Sequence, residues 1–262
     1  MSSRSASTSE GPRAGATGKV VIVATPIGNL GDLSPRAVAA LASSDYVYCE
    51  DTRRALKLFN HAAISGPRLV SHHRFNEAAT TPTAIARAKA GATIALVTDA
   101  GTPLVSDPGA RLVRAALAEG VPVESVPGPS APLAALVVSG LATERWCFEG
   151  FLPRSGRKRT DRLAAVASEA ERAVVLFESP HRIQRSLDDL VVACGPERPV
   201  AVCRELTKLH EEVWRCSLGE AAKRSQAVKP RGEYVVVLGP PGEQLPGAAP
   251  SEELGAARTE PL

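Results

Sequence analysis

Residues 94–109, IALVTDAGTPLVSDPG, constrain the fold of this chain more than any other stretch. They begin as a run of apolar residues, the pattern of a buried strand, and break at Thr98 into a loop rich in Gly, Asp and Pro. A helical stretch begins at Ala110. A buried strand that leads through such a loop into a helix is typical of an open α/β sheet, where ligands bind to the loops. We therefore predict a ligand-binding loop over residues 98–109.

The same alternation of apolar runs and helical stretches continues on both sides of this loop. Short apolar runs bounded by Gly, Pro or Asp predict strands, and the longer segments between them predict helices. The strands predicted in the N-terminal half cover residues 19–24, 45–49, 68–72, 94–97 and 121–126. Strands that alternate with helices form a mostly parallel sheet with both faces covered.

The pattern becomes less regular after Gly140. The strands predicted there cover residues 173–177, 199–203, 212–216 and 233–238, and the last two are candidates for antiparallel pairing. The fold class is therefore α/β, with a mostly parallel N-terminal sheet and a mixed C-terminal sheet. We expect an N-terminal domain over residues 18–130, a C-terminal domain over 131–240, and disordered tails over 1–17 and 241–262.

Helix starts are indicated at three places. In the pairs Ser34-Pro35 and Ser179-Pro180, a serine stands where an N-cap would be and the proline falls in the first helical turn. Asp107 precedes a proline at the end of the 98–109 loop, and we expect it to cap the next helix instead of binding a ligand.

Composition bounds the class of protein. The chain is 44% hydrophobic and 23% charged, as soluble globular proteins are, and its net charge of +3 does not by itself indicate that it binds nucleic acid.

No apolar run approaches the roughly 18 residues of a membrane helix, and the polar N-terminus lacks the apolar core of a signal peptide. The five cysteines form no CxxC pair, so we expect reduced thiols in a cytoplasmic protein, with neither disulfides nor zinc. No grouping of His, Cys and Asp has the spacing of metal ligands, so we expect no required metal. Aromatic residues make up 4% of the chain, which does not suit a broad stacking surface for single-stranded RNA.

Two familiar nucleotide-binding motifs, GxGxxG and GxxxxGK[ST], are missing from the chain, which disfavours a dinucleotide-binding fold and a P-loop nucleotidase. The predicted sheet instead offers several loops at the carboxyl ends of its strands, which lie on one edge. These loops cover residues 25–31, 49–54, 98–109 and 126–131. One Gly/Pro loop is ordinarily only a turn, but four on one edge predict a ligand site, and helix N-termini beside them offer backbone N–H groups to an anionic ligand.

Six stretches resemble a known family. They are TPIGNLGDLSPRA (25–37), CEDTRR (49–54), TDAGTPLVSDPG (98–109), VPGPSA (126–131), FESPHR (177–182) and RELTKLHEE (204–212). Together they are similar to the ribosomal RNA small subunit methyltransferase I family, a branch of the tetrapyrrole-methylase superfamily. The resemblance covers residues 19–239, and its motifs are long and specific.

This resemblance implies a tetrapyrrole-methylase-like fold of two α/β domains, with S-adenosylmethionine (SAM) in an active-site cleft between them. It implies 2′-O-methylation of a cytidine in the decoding region of 16S rRNA, in the small ribosomal subunit, by a homodimer. Some family members carry an additional C-terminal helical domain, whereas about two dozen residues follow Leu238 here. We expect any RNA contact made by that domain to come from elsewhere or to be absent.

The family's cofactor loops, transferred residue by residue, predict a SAM site. It consists of Pro26, Gly28, Asp99, Ala100, Gly101, Thr102, Pro103, Pro127, Gly128, Ser130, Ala131 and Leu206. The chemistry agrees, because glycines permit close backbone approach and free N–H groups bind a carboxylate. Asp99 would accept a hydrogen bond from the SAM ammonium group or a ribose hydroxyl, or it would only cap its own loop.

Methyl transfer to a ribose hydroxyl needs alignment of donor and acceptor, and it benefits from removal of the hydroxyl proton. The predicted catalytic residues are Glu50, Asp51, Arg53, Glu178 and His181, and Glu211 is a further candidate base. The charged cluster at residues 50–54 is expected to position the ribose and a phosphate, although Asp51 has an equal explanation as a carboxylate that stabilises a helix start. We expect the pair His72-His73 at the surface.

A basic run at residues 154–162 contains five basic side chains and one acidic one. Such a run is ordinarily a solvated helix face, but this one follows the domain junction, and we interpret it as a clamp for rRNA phosphates. The predicted RNA-binding residues are Arg154, Arg157, Lys158, Arg159 and Arg182.

Two alternative functions remain. The first is a methylase of a tetrapyrrole or another small molecule, and the basic run argues against it. The second is a non-catalytic RNA-binding or assembly protein, and the cofactor loops argue against it.

Overall fold

The computed structural model describes residues 18–245, which fall into two compact units. The first unit consists of the described residues up to Ala134 together with Glu205–Glu211. The second consists of Ala135–Arg204 and the described residues from Glu212 onwards. The segment Glu205–Glu211 thus groups with the first unit, although the sequence placed it within the domain 131–240.

The two predicted disordered tails lie almost wholly outside the described residues. The first covers residues 1–17, and the second, 241–262, is described only as far as residue 245. Among the helices of residues 18–245, none is both long enough and apolar enough to cross a membrane.

The first unit is a five-stranded sheet with helices on both faces. Its elements are β1 (Lys19–Val23), α1 (Pro35–Ala42), β2 (Tyr46–Cys49), α2 (Thr52–His61), β3 (Arg68–Ser71), α3 (Glu77–Lys89), β4 (Thr93–Leu96), α4 (Ala110–Ala118), β5 (Val123–Val126) and α5 (Ala131–Ser139), of which α5 leads into the second unit. The strand order is β3-β2-β4-β1-β5, and all neighbouring strands are parallel. The predicted parallel sheet is confirmed.

The apolar runs of the strands are explained by burial on both faces of this sheet. Successive side chains of a strand point to opposite faces, so Val20 and Ile22 pack with α3 and α4, while Val21 and Val23 pack with α1 and α2. Each fully buried Val, Leu or Ile side chain contributes about 1.5–3 kcal/mol relative to exposure. The central strands of the sheet are therefore almost wholly apolar, whereas the edge strands β3 and β5 carry polar residues.

The second unit is a mixed five-stranded sheet. Its elements are β6 (Trp146–Phe151), α6 (Arg157–Ser168), β7 (Ala173–Glu178), α7 (Ile183–Cys194), β8 (Pro199–Arg204), β9 (Glu212–Ser217), α8 (Leu218–Ala227) and β10 (Tyr234–Leu238). The order is β6-β7-β10-β8-β9, with β6 and β7 parallel and the other neighbours antiparallel. The predicted mixed sheet is confirmed. The last two strands, β9 and β10, both pair antiparallel, each with β8 and not with each other.

Two elements of the second unit were not predicted. The strand β6 contains a register shift between Phe148 and Gly150, which interrupts the alternation that marks a strand in the sequence. The helix α8 did carry a signal: Ser217 and Glu220 form a capping box, in which each side chain bonds the backbone N–H of the other residue.

The predicted helix starts are confirmed in the first unit at α1. There Ser34 is the N-cap, its hydroxyl accepts a hydrogen bond from the N–H of Ala37 at 3.1 Å, and Pro35 is the first helical residue. The start predicted at Ser179 is wrong, because a turn comes first. The carbonyl of Ser179 accepts hydrogen bonds from the N–H groups of Arg182 and Ile183, and α7 begins only at Ile183.

Asp107 is not the N-cap of α4, contrary to the sequence prediction. The helix begins at Ala110, and Gly109 precedes it with a φ of +120°. Leu104 and Ser106 also adopt left-handed φ values, +73° and +67°, which are costly for residues with side chains. The backbone at the end of the 98–109 loop therefore turns several times before the helix starts. The Asp107 side chain does not cap the helix and is available for contacts with neighbouring loops.

Candidate active site on the first unit

The carboxyl edge of the first sheet contains a topological switch point. β1 and β4 are neighbours in the sheet, but the helices that follow them lie on opposite faces, α1 with α2 on one and α4 with α3 on the other. The loops after β1 and β4 therefore diverge. In open α/β sheets a crevice for ligands opens where neighbouring loops diverge in this way.

Thr25 and Gly101 join these two loops. The N–H of Thr25 donates to the carbonyl of Gly101 at 2.9 Å, and the N–H of Gly101 donates to the carbonyl of Thr25 at 3.0 Å. Gly101 has a φ of +83°, which costs glycine nothing, and a Cβ there would lie 3.3 Å from Cγ2 of Ile27. Position 101 therefore requires glycine for both its backbone conformation and its close packing.

The loop after β5 is attached to the same place. The hydroxyl of Thr102 donates to the carbonyl of Pro129 at 3.0 Å. Gly128 approaches β1 so closely that a Cβ at this position would lie 3.1 Å from Cβ of Ala24. The predicted cofactor loops after β1, β4 and β5 are thus in direct contact with one another.

The segment Glu205–Glu211 lies against the loop after β1. A Cβ at Gly28 would lie 2.4 Å from Cγ of Lys208, and the ammonium of Lys208 is paired with Glu205 at 2.8 Å. Leu206 is buried. The structure thereby places all residues predicted to hold the cofactor, Leu206 included, in the first unit.

Asp51 caps α2 and is paired with its own neighbour. Its carboxylate accepts a hydrogen bond from the N–H of Arg53 at 2.8 Å, and its second oxygen lies 2.7 Å from Nη2 of the same arginine. The hydrogen bonds of Arg53 hold the pKa of Asp51 well below the usual aspartate range. A carboxylate with so low a pKa is a weak base, so the geometry favours the helix-start explanation of Asp51.

Asp99 connects the loop after β4 to the start of α2. One carboxylate oxygen accepts a hydrogen bond from the N–H of Asp51 at 3.1 Å, and the other lies 3.5 Å from Nε of Arg54. Burial raises the pKa of Asp99, and the Arg54 charge opposes the rise. The side chain is 26% exposed, so part of the carboxylate is open to a ligand.

Glu50 and Asp107 are two further carboxyl groups at this edge. Burial raises the pKa of Glu50, the nearby charge of Asp99 adds to the rise, and the charge of His73 reduces it. Burial, with the charges of Glu50 and Asp99, raises the pKa of Asp107 from 3.8 to about 6. Burial and the two neighbouring carboxylates therefore favour the protonated form of Asp107. Asp107 is a candidate residue that the sequence reading missed.

Glu178 and Arg182 are engaged within the second unit. The Glu178 side chain is almost completely buried and accepts hydrogen bonds from the hydroxyl of Ser186 at 2.6 Å and from Arg182 at 3.1 Å. Arg182 also donates to the carbonyl of Leu152. Both side chains thus hold the start of α7 against its neighbours, and we do not include Glu178 among the groups that exchange a proton.

Arg159 is a structural residue and not a surface cation, contrary to the phosphate-clamp prediction. It is 4% exposed and donates to Asp189 at 2.7 Å, to the carbonyl of Pro153 at 2.8 Å and to Ser186 at 3.1 Å. A guanidinium with these contacts has no face left for a phosphate. A helical signal was present, since Arg159 and Val166 are seven residues apart and share the buried face of α6.

The other predicted cations of this run are exposed. Arg154 precedes α6, and Arg157 and Lys158 form its first turn. Arg157 is 93% exposed and lies 3.6 Å from Asp161, an ion pair that water screens. His181 is also exposed, in the turn before α7.

The surface position expected for His72 is wrong. The residue is 1% exposed, its ring packs edge-on against Tyr48, and its Nδ1 lies 2.8 Å from the hydroxyl of Thr80. Burial lowers the pKa of His72, which favours its neutral form in the core. Within residues 18–245, no group of three or more His, Cys, Asp or Glu side chains is arranged to hold a metal ion.

Comparison with known proteins identifies the family. Residues 19–222 match the family model of the tetrapyrrole (corrin/porphyrin) methylases. The ribosomal RNA small subunit methyltransferase I of Mycobacterium tuberculosis is 47% identical over 241 residues, which cover 92% of this chain and 81% of that protein. The protein of the same name from Synechocystis is 46% identical over 221 residues, 84% of this chain and 78% of that protein.

A solved structure confirms the fold. Uroporphyrin-III C-methyltransferase from Thermus thermophilus, in complex with S-adenosyl homocysteine, superposes with a TM-score of 0.60 at 23% identity, covering 85% of this chain and 97% of that one. This likeness concerns the fold, whereas the matches at 46% and 47% identity extend over most of the chain. The chain therefore belongs to the ribosomal RNA small subunit methyltransferase I family, within the tetrapyrrole methylases.

Proposed function

We propose that this chain transfers a methyl group from SAM to the RNA of the small ribosomal subunit. The observation that carries the proposal is the Thr25–Gly101 bridge, which joins two loops at a switch point beside the Glu50 and Asp99 carboxyl groups. The names of the relatives point to the same substrate, and the S-adenosyl homocysteine bound by the Thermus enzyme is the product that SAM leaves after methyl transfer.

The first unit fits SAM chemically. SAM supplies a methyl group already activated on a sulfonium, and it presents a carboxylate, an ammonium, a ribose and an adenine for binding. Gly101 and Gly128 allow close backbone approach where the loops meet, and the first turn of α5 offers N–H groups to a carboxylate. The partly exposed Asp99 can accept from the ammonium or a ribose hydroxyl. We assign the SAM-binding role to the loops that contain these residues and to Leu206.

For the acceptor we propose the 2′-hydroxyl of a cytidine in the decoding region of 16S rRNA. A ribose hydroxyl is a weak nucleophile, so it must be aligned with the methyl group and lose its proton as the new bond forms. The bond from oxygen to the methyl carbon forms while the bond from that carbon to sulfur breaks. The hydroxyl proton passes to a carboxylate of the protein.

Glu50 is the base that the geometry supports best. Its carboxyl group follows β2 at the carboxyl edge, and its raised pKa brings it closer to the range in which a base accepts protons efficiently. The other candidates are less suitable, since Asp51 is paired with Arg53 and Glu178 is buried. Glu211 accepts a hydrogen bond from the N–H of Thr207 at 2.6 Å and is occupied by its own segment.

The exposed cations at the start of α6 are our proposed contacts to the RNA backbone. Arg154, Arg157 and Lys158 would supply affinity and salt dependence without reading the base sequence. We further propose that the chain acts in the cytoplasm as a homodimer, which follows from the family resemblance.

The test is transfer of tritium from labelled SAM to small ribosomal subunits that lack their own methyl groups, followed by mapping of the label. We expect label on the ribose of a cytidine in 16S rRNA. Glu50→Gln should lower kcat about 10²- to 10⁴-fold while SAM affinity, measured by calorimetry, is unchanged. Label in a tetrapyrrole acceptor and none in RNA would identify a small-molecule methylase, and a chain that does not bind SAM would be a non-catalytic RNA-binding protein.

A further inference from the structure

A turn at residues 72–76 follows β3 and is closed by its own side chains. The amide of Asn76 donates to the carbonyl of Ser71 at 3.1 Å and accepts from the N–H of His73 at 2.7 Å. The N–H of Phe75 donates to Nδ1 of His73 at 3.3 Å. These hydrogen bonds fix the turn and hold the Phe75 side chain in solvent.

The exposure of Phe75 is unusual for its residue type. Its side chain is 87% exposed, whereas that of Phe59 in the same unit is 4% exposed. An exposed phenyl ring forgoes the favourable free energy of burial. The neighbours of Phe75 in the turn are polar or charged, so its ring stands alone and is not part of a contiguous apolar patch of the kind that binds a protein or a membrane. The ring instead has the guanidinium of Arg74 at 5.5 Å from its centroid and the His73 ring at 6.1 Å.

This turn lies beside the proposed base. β2 and β3 are neighbours, Cys49 is paired with Ser71 in the sheet, and the N–H of His72 donates to the carbonyl of Cys49 at 2.8 Å. The next residue after Cys49 is Glu50, whose pKa is raised by burial, and the charge of His73 opposes that rise. The exposed Phe75 ring therefore contacts His73, and the side chain of His73 interacts with Glu50.

We propose that Phe75 is a stacking platform for an unpaired base of the RNA substrate, close to the nucleotide that is methylated, and that Arg74 contacts the RNA backbone there. The inference rests on the proposed rRNA methylation. An aromatic ring next to an arginine is the arrangement with which proteins bind unpaired nucleotides, because every base has a face that stacks and every phosphate a charge. One such ring accommodates one base, which is compatible with the scarcity of aromatic residues in the chain.

The experiment compares five full-length variants with the parent chain. It measures binding to a short unpaired RNA oligonucleotide with a fluorescent label and methyl transfer to small ribosomal subunits. Phe75→Ala and Phe75→Leu should each weaken oligonucleotide binding roughly 5- to 100-fold and raise KM, with kcat and SAM affinity unchanged. Phe75→Tyr keeps a stacking face and should retain binding. Val192→Ala is the matched control, because Val192 is an apolar side chain 88% exposed on the second unit.

Salt dependence separates the two parts of the proposal. Phe75→Ala should leave the slope of log K against log[salt] unchanged, whereas Arg74→Gln should reduce it by about 1. Retained affinity in both Phe75→Ala and Phe75→Leu, while the parent methylates RNA, would overturn the inference and leave the proposed function intact. A parent chain that transfers no methyl group to RNA would overturn both. A change of oligomeric state in Phe75→Ala, measured by light scattering, would mark Phe75 as a contact between copies of the chain and also overturn the inference.

Discussion

The carboxylate of Asp99 accepts a hydrogen bond from the backbone N–H of Asp51 at 3.1 Å, so the loop after β4 is attached to the first residue before α2. Asp51 in turn caps α2 and is paired with Arg53. The two aspartates therefore have different roles. Asp51 caps α2 and is paired closely with Arg53 at 2.7 Å, whereas Asp99 accepts one backbone hydrogen bond and lies in a looser ion pair, 3.5 Å from Nε of Arg54, with 26% of its side chain exposed.

Substitution of Asp99 separates its structural role from its proposed contact with SAM. Asp99→Asn keeps an oxygen for the Asp51 N–H, so its free energy of unfolding should stay within about 0.5 kcal/mol of the parent, whereas Asp99→Ala should lose about 1 kcal/mol. Both variants lack the charge, so both should bind SAM about tenfold more weakly or worse in calorimetry. If Asp99→Asn binds SAM as the parent does, Asp99 serves only its own loop.

Gly28 and Lys208 should be energetically coupled. A Cβ at position 28 would lie 2.4 Å from Cγ of Lys208, so Gly28→Ala must displace that side chain and should cost about 1 kcal/mol in unfolding by urea. Lys208→Ala removes the obstacle together with the ion pair that Lys208 forms with Glu205. In the double variant the second substitution should offset most of the first, giving a coupling of about 1 kcal/mol. Additive effects would mean that the two residues do not touch in solution.

Much of the first unit could be predicted from the sequence because its signals are local. The apolar runs of the strands reflect burial on both faces, and Ser34 with Pro35 marks the start of α1 through a hydrogen bond within three residues. The loops of the candidate site were found in the same way, since each follows a strand and precedes a helix. Their meeting at the Thr25–Gly101 bridge follows from the parallel order of the strands.

The remaining features depend on contacts between distant residues. The local sequence at Asp107, which precedes a proline, is typical of a helix cap. In the structure, however, Asp107 is partly buried beside Glu50, and the local sequence does not indicate this contact. In the sequence, Arg159 is one of the five cations of the basic run. Its structural role depends on Asp189, which lies thirty positions further along the chain and gives no local signal. The grouping of Glu205–Glu211 with the first unit has no local signal either, because it depends on packing against a loop more than 170 residues earlier, at Gly28.

The basic run should divide into structural and RNA-binding residues. Arg159→Ala removes three hydrogen bonds of a buried guanidinium, to Asp189, to the carbonyl of Pro153 and to Ser186, so it should lower the free energy of unfolding by about 3 kcal/mol or more. Arg159→Lys should not restore it, because an ammonium cannot make the forked contacts. The double variant Arg157→Ala/Lys158→Ala should unfold within about 1 kcal/mol of the parent and reduce the salt slope of RNA binding by about 2.

These outcomes are measured by urea unfolding and by RNA binding over a range of salt concentrations. The double variant is the surface control for Arg159, since all three residues lie in the first turn of α6. A normal salt slope in the double variant would remove Arg157 and Lys158 from the proposed RNA contacts. Unchanged stability of Arg159→Ala would contradict its buried hydrogen bonds.

Asp107 should make stability depend on pH. Its pKa is raised from 3.8 to about 6, mainly by burial, so between about pH 4 and pH 6 the folded chain holds a proton that the unfolded chain has released. The contribution of Asp107 to stability is therefore largest below about pH 4, falls as the pH rises through this window, and stays low above it. The charged carboxylate is a cost to the fold at neutral pH.

Asp107→Asn removes that cost, because the amide has nearly the same shape and no charge. The variant should be more stable than the parent by about 1 to 2 kcal/mol near pH 7.5, with allowance for the solvent that screens a half-buried carboxylate, and the gain should disappear near pH 4. Urea unfolding at both pH values measures it, with Asp32→Asn as the control for an exposed carboxylate. A gain that persists at the lower pH would show that packing of the amide, and not relief of the Asp107 charge, stabilises the variant. If methyl transfer falls while stability rises, Asp107 belongs to the reaction as well as to the fold, as expected of a charge kept at an energetic cost among Glu50 and Asp99.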